Sequence, residues 1–210
     1  DFKQGAIMKY PIGIQTFEQI RTDGYVYVDK TALIYSLVSE GKVYFLGRPR
    51  RFGKSLLIST LENYFLGRKE LFKGLAIEKL EKDWKQYPVL RIDFGATNFM
   101  SKDALVETLD AKLTEWEKEY HVQNTLRDLG LRFVNLLEEI HRQTGVCAVV
   151  LIDEYDKPLL DVMDLDYTFE YMNKQITIED YNRNILKGFY SVFKVADKDL
   201  QFVFLTGVTK

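Results

Sequence analysis

Val43-Tyr44-Phe45-Leu46-Gly47-Arg48-Pro49-Arg50-Arg51-Phe52-Gly53-Lys54-Ser55-Leu56 is the stretch on which the fold turns. An apolar run of strand type leads into a charged loop, and a helical apolar pattern follows it. Strand, loop and helix in that order are the setting a phosphate-binding loop requires. Backbone amides at a helix start are unpaired and carry partial positive charge, so a polyphosphate placed there gains hydrogen bonds that the helix cannot supply to itself. On this reading Arg48, Pro49, Arg50, Arg51, Phe52, Gly53, Lys54, Ser55 and Leu56 form a nucleotide-binding loop. Lys54 adds a full charge at the β- and γ-phosphates, and Ser55 a hydroxyl for Mg²⁺.

The loop departs from the usual G-x-x-x-x-G-K-[ST] spacing, because Arg48 stands where the first glycine falls and Gly47 lies one place earlier. Pro49 removes an amide donor and biases Arg48 toward extended backbone, so the loop entry is expected to be stiff. Arg48, Arg50 and Arg51 then supply charge. The plainer alternative is a surface turn with solvated arginines followed by an ordinary helix.

A second stretch bears on that choice. Val146-Cys147-Ala148-Val149-Val150-Leu151-Ile152-Asp153-Glu154 is a continuous β-branched and aliphatic run that ends in two carboxylates. Such a run suits a strand buried on both faces of a parallel sheet, and buried strands do not normally finish in paired acids. Beside the phosphate loop, Asp153 would hold a Mg²⁺-bound water and Glu154 would polarise the water that attacks the γ-phosphate. The alternative is a helix N-cap, since Asp-Glu favours a helix start.

Composition agrees with one α/β unit. The chain has 210 residues, 46% hydrophobic and 29% charged, enough to bury a sizeable core. A net charge of -2 argues against a broadly basic nucleic-acid surface. Cys147, the single cysteine, reads as a small buried hydrophobe inside its strand, and His121 and His141 lack partners at metal-ligand spacing. No apolar run approaches about 18 residues and no secretory leader opens the sequence, so the expected setting is cytoplasmic with no membrane partner. Residues 1–7, ahead of Met8, read as a segment upstream of the fold.

Along the chain, Tyr25 to Val28 is a strand-like run, and Asp29 can cap a helix carrying Leu33, Ile34, Leu37 and Val38 that ends at Gly41. After the loop, Leu56, Leu57, Thr60, Leu61 and Phe65 share a face, and residues 88–94 form the next strand. Ser101 can cap a helix with Leu105, Leu109, Leu113 and Trp116 on one side. A helix over about 125–144, closed by Gly145, precedes the Asp153 strand. Residues 161–176 show no firm period and read as an irregular excursion. Thr177 with Asp180 opens a further helix whose core face runs from Tyr181 to Phe193, and residues 201–205 form a last buried strand before Thr206. Strands alternating with helices predict a three-layer α/β sandwich around a mainly parallel sheet, as one domain over residues 1–210.

Tyr27-Val28-Asp29-Lys30-Thr31, the Arg48–Ser55 loop, Leu151-Ile152-Asp153-Glu154-Tyr155-Asp156-Lys157-Pro158 and Thr206-Gly207-Val208 together resemble the bacterial AAA-ATPase-like family over nearly the whole chain. The resemblance implies a P-loop NTPase fold of the additional-strand type, in which the strand ending in a sensor residue separates the phosphate-loop strand from the Asp-Glu strand. It further implies ATP and Mg²⁺ as ligands, Arg48 to Ser55 as the Walker A nucleotide loop, Asp153 and Glu154 as the Walker B carboxylates, and Thr206 in the sensor position. Arginine in place of the first loop glycine is normal there. Beyond residue 210 the resemblance implies a lid and a restriction-nuclease-like domain, with a second sensor or arginine finger as an outside contribution.

Three functions follow as expectations. The first is a Mg²⁺-dependent ATPase in which Lys54 holds phosphate, Ser55 and Asp153 organise the metal, Glu154 activates water and Thr206 reports on the γ-phosphate. The second is an ATP-sensing module without effective turnover, coupled to a partner or attached domain. The third is a nucleic-acid-binding module that sets Arg48, Arg50 and Arg51 on phosphates, with Tyr25, Tyr27 or Phe52 stacking on bases. ATP is preferred over GTP by resemblance, and Tyr27 is the candidate adenine contact, with a core aromatic as its alternative reading.

Overall fold

The computed structural model describes residues 8–208, so the reading of residues 1–7 as an upstream segment lies outside the described residues. In chain order the helices are α1 (Phe17–Thr22), α2 (Thr31–Glu40), α3 (Lys54–Phe65), α4 (Ile77–Leu80), α5 (Ala104–Glu119), α6 (Leu129–Thr144), α7 (Lys157–Leu160), α8 (Ile178–Tyr190) and α9 (Val192–Val195). The strands are β1 (Val43–Gly47), β2 (Val89–Asp93), β3 (Ala148–Asp153), β4 (Thr168–Tyr171), β5 (Lys174–Thr177) and β6 (Leu200–Gly207). Four of them form a parallel sheet in the order β1-β6-β3-β2. The last strand in sequence therefore lies between the phosphate-loop strand and the Asp-Glu strand, as the resemblance implies.

The period-2 alternation of strands divides the core in two. Ala148, Val150 and Ile152 of β3, with Val203 and Leu205 of β6, meet α5, α6 and α8 on one face. Val149 and Leu151, with Phe202 and Phe204, meet α1, α2 and α3 on the other. Every residue of β3 is buried, which is why its sequence is aliphatic throughout. β1 lies at the edge of this sheet, and its Val43 and Phe45 are exposed.

Several local expectations need correction. The run Tyr25 to Val28 is not a strand; only an isolated bridge joins Tyr25 to Lys9. Ser101 does not cap α5, because Asp103 holds the N-cap position. α6 begins at Leu129 behind Asp128, whose side chain accepts from the Leu131 amide at 2.8 Å, and Leu126 is exposed ahead of it. Residues 161–176 are not irregular throughout: β4 and β5 pair as an antiparallel hairpin across Met172 and Asn173, both with positive φ. Tyr-Met-Asn-Lys was not recognised as a turn because the left-handed region is uncommon for methionine.

Candidate functional site

The carboxyl edge of the sheet carries the end of the phosphate-loop strand, Thr206 and the Asp153 strand end. Strand register sets Leu46 beside Thr206 and Asp93 beside Asp153, and a hydrogen bond from Thr206 Oγ1 to Asp153 Oδ1 joins the two pairs into one row. Neighbouring strands lie about 4.8 Å apart, so the row brings the end of the phosphate-loop strand and the Asp-Glu pair within two strand spacings.

The loop leaves β1 tied to β6, the Arg48 amide donating to the Gly207 carbonyl at 3.0 Å. Arg51 (φ 65°) and Gly53 (φ 75°) are both left-handed, and these two reversals turn the chain into α3. For glycine that conformation is free; for Arg51 it stores strain at the loop tip. The first helical bond of α3 runs from the Leu57 amide to the Gly53 carbonyl at 3.0 Å, which leaves the amides of Lys54, Ser55 and Leu56 ahead of the helical ladder. Lys54 folds back and is 6% exposed. Its Nζ donates to the carbonyls of Arg48 and Pro49 at 2.8 and 2.9 Å, so its charge sits within the loop. Arg48, Pro49, Arg50, Arg51 and Phe52 are exposed around it, and Ser55 and Leu56 are half-buried.

Asp153 is 1% exposed at the end of β3. Its Oδ1 accepts from the Thr206 hydroxyl and from the Glu154 amide at 3.1 Å. Its Oδ2 is buried and has no hydrogen-bond partner among the described residues. Desolvating a carboxylate oxygen without a partner is costly, which is the mark of a group whose partner is a cation or a bound water. The helix N-cap reading fails for this pair, since α7 begins only at Lys157.

Glu154 has φ 54°, and its amide also reaches Thr206 Oγ1 at 3.3 Å. Burial, with the charges of Asp153 and Asp93, pushes its carboxyl above the ordinary value, while Arg50 and Lys157 pull it down. The opposing pull of Arg50 puts the loop and the carboxylates in one electrostatic field. Asp93 was read only as part of a strand. Its strand nevertheless ends in an acid as β3 does, and its Oδ1 accepts from the Gly95 amide at 2.8 Å. Gly95 leaves room for these acids, because a Cβ there would come 2.9 Å from Asp93 Oδ1 and 3.2 Å from Glu154 Oε2.

Tyr27 stands apart from this row. Its ring packs edge-on against Phe17 at 5.2 Å and against the core cluster shared with α3, and burial pushes its phenol up. Those are the contacts of a core aromatic. Asp29, in the same motif, works as a clasp: it accepts from the Thr31 amide at 2.9 Å and from the Ala76 amide at 2.7 Å, tying the start of α2 to that of α4.

Among the described residues no group of three or more His, Cys, Asp or Glu could hold a metal by itself. Mg²⁺ sites of another kind take one or two carboxylates and complete their shell with phosphate oxygens and water, and the partnerless Oδ2 of Asp153 is a donor of that type. Among the described residues, no helix is long and apolar enough to cross a membrane.

The family described as "Predicted AAA-ATPase" matches residues 11–210. An "Uncharacterized protein in vnfD 5'region" of Azotobacter chroococcum mcd 1 is 41% identical over 204 residues, covering 96% of this chain and 37% of the relative. The chain thus spans well under half the length of that relative.

Proposed function

This chain belongs to the predicted AAA-ATPase family, and we propose that it binds ATP with Mg²⁺ at the carboxyl edge of its sheet and hydrolyses the γ-phosphate. The observation that carries the reading is the partnerless, buried Oδ2 of Asp153, one strand over from the strand that runs beside the phosphate loop. The triphosphate lies on the amides of Lys54, Ser55 and Leu56, and its oxygens replace the Arg48 and Pro49 carbonyls as partners of the Lys54 ammonium. Ser55 and Asp153 would hold Mg²⁺, which would supply charge neutralisation to the phosphates.

Thr206 spends its hydroxyl proton on Asp153 and so fixes the carboxylate with Oδ2 left for the cation; reporting on the γ-phosphate requires that proton to change partner. Glu154 takes the proton of the attacking water, and the burial that raises its carboxyl also makes it a better base. The arginines of the loop tip add charge to the same cleft. The test is Glu154→Gln. ATP affinity stays within about twofold while single-turnover hydrolysis falls about 100-fold or more; hydrolysis at the parent rate would remove Glu154 from the water-activating role.

A second reading is ATP sensing without effective turnover, in which the Thr206 hydroxyl stays committed to Asp153 and does not reach the γ-phosphate. A lid or arginine finger elsewhere in a longer protein would then complete the site. Bound ATP that stays intact over hours at several protein concentrations selects this reading.

A further inference from the structure

The opposite end of the sheet carries a second set of reactive side chains. Cys147 immediately precedes β3 and Asp199 immediately precedes β6, so the strands that carry Asp153 and Thr206 at their far ends begin beside these two residues. His141, in the last turn of α6, lies between them. Its Nδ1 is 2.7 Å from Asp199 Oδ1, and its Nε2 is 3.8 Å from Cys147 Sγ. Cys147 is half-buried, which corrects its reading as a buried strand hydrophobe, and His141, which lacks partners at metal-ligand spacing, has Asp199 and Cys147 beside it in space. Sequence spacing could not show this, since Asp199 lies 58 positions from His141.

The order is that of an activated nucleophile: sulfur, imidazole, carboxylate. The Asp199 side chain is only 5% exposed, and its Oδ2 has no hydrogen-bond partner among the described residues, with the Lys198 ammonium at 3.6 Å. A buried carboxylate at Nδ1 keeps a proton on that nitrogen and presents the Nε2 lone pair to the sulfur. Lys198 also pairs with Glu138 at 3.3 Å. The Lys198 carbonyl, 3.4 Å from Sγ, is a competing acceptor that holds the thiol proton at rest. At 38% exposure the imidazole leaves a path for a small reagent.

We propose that Cys147 is a modification site for small disulfides, with His141 as proton acceptor and Asp199 as positioning residue. The Sγ proton passes to His141 Nε2, and the sulfur attacks one sulfur of R–S–S–R. A Cys147 Sγ–S–R bond forms, the reagent S–S bond breaks, and R–S⁻ leaves to take the proton back from the imidazolium. Cys147 is oxidised and the departing sulfur reduced, so the electrons balance. Exchange of this kind needs an activated, reachable sulfur and no oxyanion hole, which is why it suits this site better than acyl transfer.

Because the sequence holds one cysteine, any thiol reagent reads Cys147 alone. With oxidised glutathione at pH 7, the native chain gains one glutathionyl group, by intact mass, about tenfold faster than the same chain in denaturant. His141→Ala removes most of that advantage, added imidazole restores part of it, and Asp199→Asn falls between. A native rate no faster than the denatured rate overturns the proposal, as does a folded His141→Ala chain that reacts like the parent. If His141→Ala does not fold, the native-to-denatured comparison decides alone.

Discussion

Asp153 and Glu154 are adjacent in sequence yet sit in different physical states, and the proposed roles differ accordingly. Asp153 closes a fully buried strand and is pinned through one oxygen, whereas Glu154 turns away through a left-handed residue into a field of like charge. The acids were legible because paired carboxylates do not otherwise end a buried strand. The strain at Glu154 and Arg51 was not, since nothing in the sequence marks a left-handed glutamate or arginine. The raised Glu154 carboxyl has a consequence for stability. Its folded value lies above the ordinary 4.5, so the native state binds more proton than the unfolded state as pH rises through that window. Stability from this group is therefore lost with rising pH, and at neutral pH the carboxylate costs folding free energy. Glu154→Gln is expected to melt higher than the parent at pH 7.5, with the gap closing toward pH 4.5; a variant that melts lower at neutral pH contradicts the assigned burial and charge.

The elements were read best where a local chemical rule governs them. Gly145 closes α6 in the left-handed region, and Thr177 accepts from the Asp180 amide at the start of α8, both as the sequence indicates. The readings failed where tertiary contacts decide. α1 was missed because only Phe17 and Ile20 of its six residues are buried, too short a period to register. Leu33 was placed with the core face of α2 but is exposed, which leaves Ile34 as its buried aliphatic residue. The joint between β6 and the turn after β3 shows what pattern reading leaves out. Tyr155 donates its amide to the Thr206 carbonyl at 2.8 Å, and its ring lies edge-on to Phe45 at 4.9 Å. Gly207 lets β6 pass this ring: a Cβ would stand 2.4 Å from Tyr155 Cε1 and 2.9 Å from Asp156 Cγ. Gly207→Ala is thus expected to lower stability by about 1–3 kcal/mol in denaturant titrations and to weaken ATP binding, because it displaces the turn that follows Glu154. An alanine variant with parent stability would show that the ring moves aside freely.

At the scale of the molecule, a parallel sheet with helices on both faces follows from strands alternating with helices, and composition adds only that the core is large enough. The strand order is different in kind. Sequence pattern marks the four strands of the parallel sheet, but only the resemblance carries the placement of the last strand between the first and third. That placement lines up Leu46, Thr206, Asp153 and Asp93 in one row and brings two separate motifs to one edge of the sheet. The central claim is that a triphosphate rests on the start of α3 while Asp153 shares its cation. Calorimetric titration of the chain with ATP, with and without Mg²⁺, on the parent and on Lys54→Ala, tests it most directly. The account predicts saturable binding that tightens about tenfold or more with Mg²⁺ and is lost in Lys54→Ala; no binding by the parent, or equal binding by a folded Lys54→Ala chain, would contradict it.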